Sequence, residues 1–333
     1  MLKTLEGLAA PNGTHRSGTG ARFAARVALL LAIGTAGFAL PSTGHAQPAG
    51  ATSKSAPKEL VTKAEAGDPQ AQYVLSYLVL VDRVTDVVPS VKDEKQANAL
   101  AVRYLEQAAA TGYAPAEHLL GTVYLAGEGV TKDPVRAKEL FRKAADAGNP
   151  DGENALGQML HEGQGGVQDD RAAVAWFQKA VAQDHKAAMA NLAYMYVNGL
   201  GIAKDEKKAV DLTRVAADAG LVEAQHNLGW MYDNGKGVDK NPGEAMRWYL
   251  KAADNGYAPS QLNVGFIYAK GEGGGDVRDQ LVKAVKWFAL ASTSSDKTVS
   301  ETAKKAIVYV AQRQAPDIVS DGVGEAKKWV WAH

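Results

Sequence analysis

The residue types that carry most protein chemistry are sparse in this sequence of 333 residues. It contains no cysteine, no Gly-x-Ser-x-Gly nucleophile elbow and no His-Glu-x-x-His zinc motif. The histidines that follow the N-terminal segment stand singly, at His118, His161, His185, His226 and His333. We therefore predict neither a catalytic constellation nor a metal site, and the sequence favours a protein that is not an enzyme.

Two glycine-rich stretches invite a phosphate-binding interpretation. Residues 271–275 read GEGGG, and residues 163–166 read GQGG. A phosphate-binding loop follows a strand and continues into Lys-Ser/Thr, and neither stretch has that context. We interpret both as turns and predict no cofactor.

The elements that position the side chains recur with a period of 36 residues. Glycine ends the second helix of successive units, with an aspartate once in the corresponding place. These residues are Gly112, Gly148, Asp184, Gly220 and Gly256. A fixed period of this length, with two helices in each unit, indicates an α-solenoid.

Residues 224–256 show one complete unit. Ala224, Leu228 and Tyr232 are spaced i, i+4, i+8 and therefore share one helix face. After a glycine turn, Asn241 and Pro242 fit the N-cap and the first residue of a second helix. Asp133, Asp169 and Asp205 precede the other second helices at 36-residue steps, and we predict that they are N-caps as well.

The repeated pattern is A-x-x-x-L-G-x-x-Y-x-x-G-x-G-V, followed by A-x-x-W/F-x-x-K-A-A-x-x-G. It resembles the Sel1-like repeat (SLR), a relative of the tetratricopeptide repeat, over roughly residues 60–295. The resemblance implies an all-α fold, a right-handed α-solenoid of about six helix–turn–helix repeats, here with a C-terminal capping helix. It further implies a protein-interaction solenoid, an adaptor or regulator rather than an enzyme.

The resemblance also implies which side chains line the concave groove. These positions lie three residues before, one after and four after the glycine of the Leu-Gly signature. The candidates for a partner-binding groove are Tyr194, Trp230, Phe266, His226, Asp233, His118, Asn154, Gln158 and His161. Tyr194, Trp230 and Phe266 would form an aromatic ladder, and the polar members would make the N-terminal half hydrogen-bonding. The alternative is that the aromatic rings pack as core against neighbouring first helices.

The leading functional hypothesis is a non-enzymatic scaffold, or adaptor, of the bacterial cell envelope that binds a protein or peptide segment in its groove. The alternative is a protein that binds peptidoglycan or another glycan, with Tyr194 and Trp230 as stacking platforms. A cell-wall hydrolase is a third hypothesis, disfavoured by the missing catalytic residues. Lys and Arg (37) balance Asp and Glu (37), so we predict no nucleic-acid partner.

The first 46 residues fit a signal peptide. Arg16, Arg22 and Arg26 precede an apolar run over residues 27–40, and small residues allow cleavage before Gln47. We expect a periplasmic or secreted protein with no membrane span after cleavage; an uncleaved anchor is the alternative. Residues 47–58 are predicted to be a flexible linker.

The repeat region is assigned to residues 59–295, and residues 296–333 to a C-terminal cap and tail. A nine-residue insertion falls around residues 81–95, and we interpret it as a capping irregularity or as a loop that touches a partner. Residues 299–314 are predicted to form the final helix, which Pro316 stops. Trp329 and Trp331 in the tail either cover the exposed end of the repeats or dock a partner.

Overall fold

The computed structural model describes residues 58–80, 91, 93–314 and 316–332. These residues form fifteen α-helices and no β-strand, which confirms the all-α repeat fold. The helices are α1 (Lys58–Glu65), α2 (Pro69–Leu80), α3 (Glu94–Ala110), α4 (Ala114–Ala126), α5 (Pro134–Asp146), α6 (Pro150–Glu162), α7 (Asp170–Ala182), α8 (Lys186–Asn198), α9 (Glu206–Asp218), α10 (Val222–Asn234), α11 (Pro242–Asp254), α12 (Ala258–Ala269), α13 (Val277–Ala291), α14 (Lys297–Ala311) and α15 (Pro316–Ala332).

The described residues fall into two compact units, 58–204 and 205–332. In the first unit, consecutive helices from α1 to α8 pack as neighbours, and the first helices α2, α4, α6 and α8 also contact one another in turn. In the second unit, consecutive helices from α9 to α15 pack in the same way. Within each unit, a hairpin therefore buries its apolar stripe against its neighbour, as expected of short helices that are marginal alone.

The predicted helix ends are confirmed. The side chains of Asp133, Asp169, Asp205 and Asn241 accept hydrogen bonds from backbone N–H groups in the first turn of α5, α7, α9 and α11. Asp184, which replaces a glycine of the repeat, has a φ of 65°. Aspartate tolerates this left-handed conformation better than most residues, and this explains why the period survives the replacement.

The glycine of the Leu-Gly signature makes room for an aromatic ring. A Cβ added to Gly157 would lie 2.6 Å from Phe177 Cε1, and one added to Gly229 would lie 2.8 Å from Tyr249 Cδ1. Gly121 and Gly265 face Phe141 and Phe288 in the same way. The fourth repeat has Ala193 and Thr213 at these two positions, and both are buried. The glycine of the first helix is therefore present in the repeats whose second helix carries an aromatic ring at the facing position, and the fourth repeat lacks both.

A second glycine in each turn lets two backbones approach closely. Gly201 has a φ of 65°, and a Cβ added there would lie 2.3 Å from the carbonyl oxygen of Asp170, the first residue of α7. Gly237 approaches the carbonyl oxygen of Glu206 in the equivalent way. Only glycine fits both the conformation and the space, so this residue ties each turn to the start of the preceding second helix.

The C-terminal region differs from the prediction. Pro316 does not end the ordered helices but begins α15, which runs to Ala332. Proline is well suited to the first turn of a helix because its missing N–H would have no partner there. α15 packs on α13, and the ring of Trp329 lies 6.4 Å from that of Trp287 in an edge-to-face arrangement. Residues 299–311 of the predicted final helix do lie in a helix, α14, but it ends at Ala311 and is not the final one.

Several predictions fall on residues outside the described ranges. These are the signal peptide (1–46), the linker up to residue 57 and most of the insertion (81–90 and 92). Lys58, the last predicted linker residue, is the first residue of α1.

Candidate functional site

The nine predicted groove residues differ widely in exposure. Gln158 and Tyr194 are exposed, and Tyr194 reaches 46%. His161, Trp230 and Asp233 are half-buried. The remaining four residues are buried, with exposed fractions of 5–7%: His118, Asn154, His226 and Phe266. For these four, the expectation of an open groove-lining side chain is wrong.

The buried histidines pack against the rings of second helices. The His118 ring lies 5.6 Å from that of Phe141, and the His226 ring lies 5.4 Å from that of Tyr249. His226 Nδ1 also lies 2.8 Å from Ser260 Oγ, on the first helix of the next repeat. Burial lowers the pKa of the His118 imidazole, and it lowers the pKa of His226 to about 4. Both imidazoles are therefore neutral parts of the packing at neutral pH.

Asn154 is buried for a related reason. Its Oδ1 accepts a hydrogen bond of 2.8 Å from Asn191 Nδ2 on α8, the first helix of the following repeat. At Asn154 and His226, the position three residues before the signature glycine thus contacts an adjacent first helix rather than an open groove. Sequence periodicity places the residue on that side of the helix but does not show which neighbour covers it.

Phe266 is covered by α14. Its ring lies 5.1 Å from that of Phe288 in an edge-to-face contact, and the same cluster includes Ala303 and Ala306 of α14. The alternative weighed for the aromatic ladder, packing as core, is therefore correct for this ring. In residues 205–332, Trp230 and Asp233 remain half-buried on α10.

The exposed candidates of residues 58–204 come together around His161. Its Nδ1 lies 2.6 Å from Asp170 Oδ1, which also accepts a 3.3 Å hydrogen bond from Gln168 Nε2. The Tyr194 ring meets the His161 ring edge-on at 5.8 Å. Gln158 lies one turn earlier than His161 on α6 and is exposed. We call Gln158, His161, Asp170 and Tyr194 the α6–α8 surface.

Asp170 was not among the predicted site residues. It directly follows the N-cap Asp169, and the sequence pattern singled out only Asp169 at this helix start. The backbone carbonyl of Asp170 lies against Gly201, and its carboxylate lies beside His161. The available signal was the nine-residue separation of His161 and Asp170 across one helix–turn–helix, where the chain folds back on itself.

The α6–α8 surface can recognise polar groups beside an aromatic face. Since a carboxylate only accepts hydrogen bonds, Nδ1 of His161 is the donor to Asp170, and the neutral ring presents Nε2 as an acceptor. Side chains of Asp170 and His161 keep 23% and 26% of their surface exposed. Across the described ranges, no group of three His, Asp or Glu side chains is arranged to hold a metal ion. Among the fifteen helices, none has the length and apolar character that a membrane crossing requires.

Comparison with known proteins identifies the repeats. The Sel1 repeat model matches six consecutive segments, at residues 69–113, 114–149, 150–185, 186–221, 222–257 and 258–296. The chain belongs to the Sel1 repeat family. Sel1 repeats generally mediate protein–protein interaction, and the scaffold is generally non-catalytic.

The solved structure of a Sel1 repeat protein agrees with this family and fold. The chain is 28% identical to a Sel1 repeat protein from Oxalobacter formigenes, with a TM-score of 0.60, over 69% of this chain and 88% of that one. It is 22% identical to a protective antigen of uropathogenic Escherichia coli strains that displays an SLR fold, with a TM-score of 0.49, over 82% of this chain and 71% of that one. No curated protein sequence matches this Sel1 repeat chain.

Proposed function

We propose that this Sel1 repeat protein is a non-enzymatic adaptor that binds a protein or peptide segment on the α6–α8 surface. The observation that carries the proposal is the exposure of Tyr194, 46%, at a repeat position whose counterpart Phe266 is buried. A large aromatic side chain left open beside polar groups is typical of a binding hot spot.

The chemistry of the surface suits a peptide. His161 offers Nε2 to a backbone N–H, because Nδ1 is engaged with Asp170. Gln158 offers both a donor and an acceptor on the same helix face one turn away. Tyr194 supplies rigid contact area at a low entropic cost, since only two side-chain torsions become fixed.

We further propose that the protein acts in the bacterial cell envelope, in the periplasm or as a secreted protein. This rests on the basic, apolar and small-residue regions of residues 1–46, which fit an export signal. N-terminal sequencing of the protein from fractionated cells tests it directly. We expect a mature chain that begins at Gln47 in the envelope fraction; an intact N-terminus in the cytosol would contradict export.

A site-specific photo-crosslinker in place of Gln158 tests partner binding. We expect one adduct of defined mass whose second component is a protein identified by mass spectrometry. The matched control carries the same crosslinker in place of Glu139, which is also exposed but lies on the second helix α5. Equal adducts at both positions would contradict the proposal, and an adduct with wall fragments alone would favour the glycan alternative.

Two substitutions then measure what the surface contributes. Tyr194→Ala and His161→Ala should each weaken binding of the identified partner by about fivefold or more, as truncated hot-spot residues do. Trp176→Ala on α7 removes a half-buried aromatic ring from a second helix of the same unit and serves as the control. Circular dichroism confirms that each variant remains helical. Unchanged affinity in both surface variants would show that the partner binds elsewhere.

A further inference from the structure

A buried glutamine recurs in the first helix, four residues before the glycine of the Leu-Gly signature or, in the first repeat, before the serine that replaces it. In three repeats its Nε2 donates a hydrogen bond to the backbone carbonyl eight residues earlier, at the end of the preceding helix. The pairs are Gln72–Ala64 (3.1 Å), Gln225–Ala217 (3.2 Å) and Gln261–Ala253 (3.2 Å). The glutamine thus ties the start of each first helix to the helix before it.

The acceptor carbonyl occupies the same place in these three repeats. It also receives the N–H of the glycine that follows the second helix, for example Gly220 N–H to Ala217 and Gly256 N–H to Ala253, both at 3.0 Å. Gly112 N–H to Ala109 (3.0 Å) and Gly148 N–H to Ala145 (2.9 Å) reproduce this arrangement in the second and third repeats. Ala109 and Ala145 are therefore the equivalent acceptors there.

Glutamate replaces the glutamine in these two repeats. Glu117 lies eight residues after Ala109, and Glu153 lies eight residues after Ala145. Both side chains are buried, with exposed fractions of 5% and 4%. An ionised carboxylate cannot donate to a carbonyl, whereas a protonated carboxyl group can, as the glutamine amide does.

Nearby cationic and hydrogen-bonding groups offset only part of the cost of burying the two ionised carboxyl groups. Burial raises the pKa of Glu117, against the opposing charge of Lys143 on α5. Burial also raises the pKa of Glu153, opposed by a hydrogen bond from Gln183 and by Lys179 and His185. Gln183 Nε2 reaches Glu153 Oε2 at 2.9 Å, which leaves the second carboxyl oxygen for another partner.

We propose that Glu117 and Glu153, when their carboxyl groups are protonated, donate hydrogen bonds to the carbonyl oxygens of Ala109 and Ala145. We call this pair of pH-dependent hydrogen bonds the lock; it is closed when the bonds are formed and open when they are not. At acidic pH these bonds would join the first helix of the second and third repeats to the helix before it. The neutral amides of Gln72, Gln225 and Gln261 make the equivalent bond at any pH. The lock lies in the unit that carries the α6–α8 surface, but it does not depend on partner binding.

The direction of the pH dependence follows from linkage. A carboxyl group whose pKa is higher in the folded chain than its ordinary value of 4.5 binds protons more tightly when folded. Its stabilising effect is complete below the ordinary pKa and is lost as the pH rises through the raised pKa. The lock is therefore open at high pH and closes as the pH falls towards 4.5.

The double variant Glu117→Gln/Glu153→Gln tests the lock, because it supplies the permanent donor found in the other repeats. We expect its thermal midpoint at pH 7 to exceed that of the unsubstituted chain by about 2 °C, because two buried hydrogen bonds to the carbonyls are gained. The difference should disappear as the pH falls towards 4.5. A lower midpoint at pH 7 would show instead that ionised glutamates paired with Lys143 and Lys179 stabilise the fold, and would overturn the proposal.

The reverse exchange gives the matched control. Gln225→Glu should lower the midpoint at pH 7 and should make it recover on acidification. Glu139→Gln, at an exposed position on α5, should have neither effect. Carboxyl carbon NMR shifts of Glu117 and Glu153 measure protonation independently of stability; titration of both at the ordinary glutamate pKa would contradict the lock.

Discussion

Tyr194 and Phe266 occupy the same position of the repeat, one residue after the signature position, yet their surroundings are opposite. Tyr194, in the unit of residues 58–204, is 46% exposed and touches the His161 ring edge-on. Phe266, in the unit of residues 205–332, is 5% exposed and packs with Phe288 and with alanines of α14. Repeat position therefore sets the direction of a side chain, while the element that follows decides whether it is available to a partner.

The largest expected effect is the difference in folding stability lost when each of these two rings is removed. Phe266→Ala should lower the free energy of unfolding by about 3–5 kcal/mol, because it empties a packed core site. Tyr194→Ala should change it by about 0.5 kcal/mol or less, as surface substitutions do. Urea denaturation of both variants measures the difference. Similar losses in the two variants would remove the distinction between core ring and surface ring.

A second expected effect concerns the pH dependence of a buried first-helix residue. His226 has a pKa lowered to about 4 by burial, so its neutral form stabilises the fold above the ordinary value of 6.5. This contribution is lost as the pH falls from 6.5 towards 4, and at pH 5 the loss amounts to about 2 kcal/mol.

His226→Gln removes the titrating group and keeps a polar side chain beside Ser260. We expect thermal midpoints that fall less steeply between pH 6.5 and pH 4 than those of the unsubstituted chain. Parallel pH profiles would contradict the assignment of His226 to the buried packing. His161→Gln on the α6–α8 surface is the matched control at a half-buried site.

A third expected effect compares the stability contributions of two adjacent residues on α6. Gly157→Ala should destabilise the chain by about 1–3 kcal/mol, because overpacking forces the Phe177 ring to move. Gln158→Ala should be nearly neutral, since this side chain is exposed to solvent. Thermal denaturation of the two variants compares the packed face and the open face within one helix. A neutral Gly157→Ala would show that the ring does not require glycine.

Much of the fold could be predicted from the sequence because its determinants are local. The N-caps at Asp169 and Asn241 and the left-handed residue at Asp184 follow from short-range backbone chemistry that repeats every 36 residues. The beginning of α15 at Pro316 was missed because proline suits both the end of one helix and the first turn of another.

The site was harder to predict because burial depends on non-local packing. The family resemblance implied that His118, Asn154 and His226 line a concave groove, but it could not show that neighbouring side chains cover them. Asp170 illustrates the converse, since the sequence pattern singled out only its neighbour Asp169 and did not predict the contact of Asp170 with His161. Tyr194, Gln158 and His161 remain as the residues for which the predicted binding role is proposed.

Hydroxyl-radical footprinting of the chain, with and without the partner captured at position 158, tests the central proposal most directly. We expect modification of Tyr194 and His161 to fall when the partner is added, while Trp176 on α7 keeps its reactivity. That result would place the partner on the α6–α8 surface. Unchanged modification of Tyr194 and His161 in the saturated complex would contradict the proposal.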